Sequence, residues 1–62
     1  MTNQSKAKLY EEYVRESDIL QRQNSKLKSE YVTNIPPHIQ KIIDENDAKI
    51  AVLVGKLENL FR

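Results

Sequence analysis

This chain has no cysteine and no tryptophan, one glycine, one histidine, and two prolines that are adjacent. Without cysteine there is no disulfide framework and no thiolate metal site. A single histidine gives no basis for an imidazole-built zinc site, so neither metal nor cofactor is expected. No glycine-rich stretch is present to cradle a phosphate. Acids and bases are mixed, nine against ten, and no block of one sign advertises nucleic acid or a membrane surface. The unbroken apolar run from Ile50 to Val54 is far too short to span a bilayer. The N-terminus lacks an apolar signal core. A soluble intracellular protein, cytoplasmic or nuclear, is the expectation.

What is there is a chain of 62 residues, of which 39% are hydrophobic and 31% charged. That is too apolar for disorder throughout, although MTNQS at the start is expected to fray. The length allows one domain, 1–62. A chain this small buries only about 60% of the surface its unfolded form exposes and is marginal alone. With disulfides and metals absent, association with another chain is the remaining source of stability.

From about residue 5 to 31 there is neither glycine nor proline, and Lys, Glu, Leu, Gln, Arg and Ala dominate. Opposite charges sit four apart at Glu11/Arg15, Asp18/Arg22 and Lys26/Glu30, each pair supporting a helix by about 0.2–0.5 kcal/mol. This segment reads as one long helix. Tyr13, Leu20 and Leu27 recur every seven residues as d positions, with Tyr10, Ser17, Asn24 and Tyr31 as the a companions. A buried Asn24 would fix register in a coiled coil at some cost in stability. Two polar a positions weaken such a seam, so Ser17 and Asn24 are expected to face solvent.

VTNIPP, with the turn over 32–36, breaks the pattern. Ile35 precedes a proline and is pushed out of the helical region. Pro36 and Pro37 suit the first turn of a new helix, and Thr33 or Asn34 is expected to supply a capping oxygen. Val32 and Ile35 are expected to pack the turn against the rest. Helix 2 should run from about 37 to 61. Ile39, Ile43, Ile50, Leu53, Leu57 and Leu60 follow 3–4 spacing, and Asn46 takes one core-like position. Ile42, Val54 and Phe61 widen the stripe.

KIAVLVGKL, Lys49 to Leu57, is apolar around its circumference. Ile50, Leu53, Val54 and Leu57 share one face, and Ala48, Ala51, Val52 and Gly55 lie largely on the other. Such a helix is usually covered on more than one side. Gly55 costs about 1 kcal/mol relative to alanine inside a helix. It implies close packing there or, as the alternative, a helix end with KLENLFR beyond it.

Catalysis needs a positioned acid, base or nucleophile, usually in a pocket, and two helices build little of one. His38, after two prolines, reads as an exposed first-turn residue. Asp44, Glu45 and Asp47 lack the glycine and distal glutamate of a calcium loop and read as a solvated face. No catalytic residue is assigned, no small-molecule substrate is expected, and the chain is not expected to be an enzyme. Lys8, Arg15 and Arg22 form a basic stripe at seven-residue spacing, but Glu11, Glu12 and Asp18 flank it, so nucleic acid is the lesser partner.

The segment IQKIIDENDAKIAVLV, Ile39 to Val54, resembles the start of the N-terminal domain of the synovial-sarcoma-translocation family of transcriptional coactivators. That family has a helix of the form IQK-hydrophobic-LDEN followed by an apolar stretch. Ile43 stands where the family has leucine, the family's glutamine-containing second half of the domain has no counterpart, and the match covers about a quarter of the chain. The resemblance implies a helical docking segment in a chromatin-remodelling assembly, with Ile39, Ile43 and Ile50 as contacts.

The residues themselves predict an all-α fold, a coiled-coil-like antiparallel hairpin of two helices that completes a bundle with another protein chain, a second copy or a different partner. The expected function is a non-enzymatic interaction module, a small adaptor, assembly factor or subunit, binding through the apolar faces of helix 2. The contacts assigned there are Ala51, Val52, Leu53, Val54, Gly55, Leu57, Leu60 and Phe61. Tyr10 and Tyr13 join them from helix 1, since tyrosine buries a ring and keeps a wet hydroxyl, with packing against Ile and Leu of helix 2 as the equal alternative. The alternatives are a nucleic-acid-associated regulator working through the basic stripe, and an inhibitor whose helix fills a groove on another protein.

Overall fold

A computed structural model describes residues 3–62, with side chains from Ser5 onward. Two α-helices, α1 (Asn3–Glu30) and α2 (Pro37–Leu60), pack antiparallel against each other. The all-α hairpin expected from the sequence is the observed fold. Of the MTNQS segment expected to fray, Asn3, Gln4 and Ser5 are already helical; Met1 and Thr2 lie outside the described residues.

The ends of the helices follow from local chemistry. Beyond Glu30 the Tyr31 N–H still donates to the Leu27 carbonyl at 3.1 Å. The chain then bends through Val32 and Thr33 and runs extended into Pro36, whose φ of −59° and ψ of 150° set the entry to α2. Pro37 opens α2 at a position where no backbone donor is needed. Neither Thr33 nor Asn34 supplies a cap: α2 has no side-chain cap, and its N-cap residue is Pro36. The Pro36 carbonyl instead accepts from the N–H groups of Ile39 (3.0 Å) and Gln40 (2.9 Å). Thr33 and Asn34 are set too far back for capping, because the two prolines hold the intervening chain extended. Val32 does not pack the turn; it is exposed, while Tyr31 and Ile35 are half-buried.

α2 passes through Gly55 and ends at Leu60, with Phe61 as its C-cap residue. The helix-end reading of Gly55 is thereby overturned. Leu57 and Leu60, both half-buried, explain why the helix continues: they extend its inner stripe past the glycine.

Between the helices lies a narrow seam. From α2 it takes Ile39, Ile43, Asn46, Ile50, Leu53, Leu57 and Leu60, in alternating steps of four and three. Ile43 is its centre, 1% exposed. From α1 it takes Tyr13, Ser17, Leu20, Asn24 and Leu27. The expectation that Ser17 and Asn24 face solvent is wrong. They are 7% and 5% exposed, as deep as Leu53. Asn46, also buried, donates from Nδ2 to Asn24 Oδ1 at 2.9 Å, while Asn24 Nδ2 donates to Asp47 Oδ1 at 2.8 Å. Longer contacts run from Asn24 Nδ2 to the Ile43 carbonyl and from Asn46 Nδ2 to Gln23 Oε1, both at 3.4 Å. Ser17 Oγ accepts from Gln21 Nε2 at 3.0 Å. Among the described residues no buried side-chain polar atom lacks a partner. Two buried amides are tolerated because each satisfies the other; unpaired, either would cost about 1–3 kcal/mol.

Candidate interaction surface

The helices are long and the hairpin is thin, 48 × 15 × 13 Å. A seam between only two helices covers one stripe on each. The rest of each helix faces outward, including whatever apolar residues lie beside the stripe.

The ten residues assigned to partner contact divide into three groups. Leu53 is core, 5% exposed, and reaches the outside only at the floor of a groove. Tyr13, Leu57 and Leu60 are half-buried along the seam, with the Lys56 ammonium 5.5 Å from the centre of the Tyr13 ring. Tyr10, Ala51, Val52, Val54 and Phe61 are exposed, Val52 at 57% and Phe61 at 70%. Tyr10 and Phe61 meet edge-on, ring centres 5.8 Å apart, and close the open end of the hairpin. Gly55 is half-buried by its own helix, and a Cβ built on it would meet nothing within 4 Å. Among the described residues nothing packs closely at Gly55.

Sequence reasoning missed Ile19 and Val14 as surface residues and used Ile42 only to widen the inner stripe. All three are exposed, Ile19 by half. The available signal was that Val14 and Ile19 fall outside the seven-residue repeat of α1.

Position along the repeat divides the exposed apolar side chains between two flanks. On one flank, a shallow groove of about 330 Å³ is lined by Glu16, Leu20, Ala48, Lys49, Val52, Leu53 and Lys56. A second groove, about 390 Å³, continues toward the turn between Gln23, Lys26, Leu27, Glu30 and Ile42. Ile19, one turn from Glu16 and Gln23, stands at the edge of this flank. We call it the Val52 flank. The opposite side of the seam carries Val14, Val54 and Phe61. There Glu11, Tyr10 and Phe61 line a further hollow with Lys6 and Ala7. We call it the Phe61 flank.

The charged clusters are placed as follows. Lys8, Arg15 and Arg22 are exposed in one line on α1, and Arg22 Nε is held 2.9 Å from Asp18 Oδ2. That is the one ion pair found among the described residues, and it partly neutralises the stripe. His38 is exposed at the start of α2. Asp44 Oδ1 accepts from Gln40 Nε2 at 2.9 Å, and Asp47 is engaged by Asn24. Among the described residues no helix is long and apolar enough to cross a membrane.

Comparison with family models, with curated proteins and with solved structures finds no match to this chain. The resemblance of Ile39–Val54 to the synovial-sarcoma-translocation family gains nothing from them. All three of the contacts it implies, Ile39, Ile43 and Ile50, lie along the seam of the hairpin.

Proposed function

We propose that this chain is a non-enzymatic protein–protein interaction module, a small adaptor or subunit that docks through the outer apolar surface of the hairpin. The observation that carries this reading is the run of exposed Ile19, Ile42 and Val52 along one flank, over grooves with apolar floors. Full burial of such a side chain is worth about 1.5–3 kcal/mol, so a partner covering three of them gains a useful share of a stable association. Left bare, the same patch favours non-specific association. The nucleic-acid reading finds no comparable support, since Asp18 already engages one of the three stripe cations.

A photo-activated cross-linking side chain at position 52 of the full chain, introduced in the native cell, tests this. Capture of a protein, whether another copy or a different one, is expected at position 52 and not at the exposed polar position 25. No capture from position 52, nor from position 54 on the opposite flank, would remove the interaction reading. Purified chain carrying Val52→Lys should keep its helix content by circular dichroism and lose the association.

A further inference from the structure

The two flanks differ in the charges beside their apolar residues. The Phe61 flank is bordered by Glu11, Asp18, Asp44, Asp47 and Glu58, against Lys6 and Lys28, and is acidic on balance. Two such flanks would repel each other. Along the Val52 flank the signs are mixed instead, with Glu12, Glu16, Lys26 and Glu30 on α1 and Glu45, Lys49 and Lys56 on α2. The Asn24–Asn46 contact fixes the heights. Counting from it, Lys26 of α1 stands level with Glu45 of α2, Ile19 with Val52, and Glu16 close to Lys56. None of these four charges is in an ion pair within the chain, since the pair found among the described residues is Arg22–Asp18.

This pattern is self-complementary. A two-fold axis parallel to the hairpin lays α1 of one copy over α2 of the other without changing height. Ile19 then meets Val52, Lys26 meets Glu45, and Glu16 meets Lys56, each contact occurring twice. All neighbouring helices in the resulting four-helix bundle are antiparallel, the common up-and-down arrangement. A flank 48 Å long and 13–15 Å wide offers on the order of 600–700 Å² per copy, approaching the roughly 800 Å² of a standard interface. A C2 contact is also the commonest form of oligomer. Resting on the interaction reading above, we propose that the partner covering the Val52 flank is a second copy of this chain, seated with the two-fold axis along the hairpin.

The experiment is sedimentation equilibrium on the full chain across a range of concentrations, with circular dichroism on the same samples. The parent is expected to be a helical dimer. Lys26→Glu with Lys56→Glu makes each facing pair acidic, and Glu16→Lys with Glu45→Lys makes each basic. Each double variant should dimerise at least about tenfold more weakly than the parent, because like charges then face across the interface. An equimolar mixture of the two should recover a heterodimer, since every facing pair regains opposite signs. Should a double variant lose its helix signal, Val52→Gln at an exposed position serves in its place and should also weaken dimerisation. A helical parent that stays monomeric at all concentrations overturns the second-copy proposal. So does a dimer that neither the charge variants nor Val52→Gln weakens. In either case, cross-links from position 52 to a different protein would leave the interaction reading standing, and absence of any cross-link would remove both.

Discussion

A methyl group added at Gly55 would point into open space, in the middle of a helix where glycine is a poor former. Gly55→Ala should therefore raise the stability of the isolated hairpin by about 1 kcal/mol. For a domain this small that corresponds to a rise in melting temperature of about 4–8 °C, read by thermal circular dichroism. A fall would mean that something outside the hairpin approaches the glycine closely. The opposite sign is expected at Ile43, the most deeply buried side chain of the seam. Ile43→Ala should cost about 2–5 kcal/mol, enough to unfold most of a marginal chain in solution. At this scale the sequence was half legible. The 3–4 spacing singled out Ile39, Ile43 and Leu53 correctly as inner positions. The role of Gly55 was not legible, because a glycine signals a local cost without showing what stands beside it.

The two helices hold each other through a seam that is polar at its middle. Pattern reading prices Ser17 and Asn24 as solvent-facing, since an isolated buried amide is expensive. What it cannot see is that Asn46, distant in the chain, arrives at the same level and repays the desolvation with a 2.9 Å hydrogen bond. The position of Asn46 was recognised as core-like; its partner was not, because pairing across a turn depends on register. A register slip of one seven-residue repeat would set Asn24 against Ile39 or Leu53 and leave both amides unpaired. Asn24→Ala alone should therefore destabilise the hairpin by about 1–3 kcal/mol, as it strands the Asn46 amide. Asn24→Leu combined with Asn46→Leu should be close to neutral or stabilising, yet less selective in how the helices align. Equilibrium unfolding gives the first comparison. A spread of amide resonances beyond one per residue in the double variant would report the second.

As a whole molecule the hairpin was the most legible feature, since one proline pair interrupts two otherwise uninterrupted helical patterns. The sequence also implied that one helix could not cover the other completely. The side left open was less clear: Val52 was identified, but Ile19 and Ile42 gain meaning only once the antiparallel register brings them to the same flank. The dimensions of the molecule carry a consequence for how it moves. Its radius of gyration is 14.5 Å, against about 10.6 Å for a compact globule of this length. A rod suffers more friction than a sphere of equal mass, so the lone hairpin should elute early from a sizing column and pass for something heavier. Pairing along the flank would double the mass while leaving the long dimension near 48 Å. Growth end to end would lengthen it instead. Small-angle scattering reads that dimension directly, so two hairpins lying side by side would become stouter and drag less for their weight.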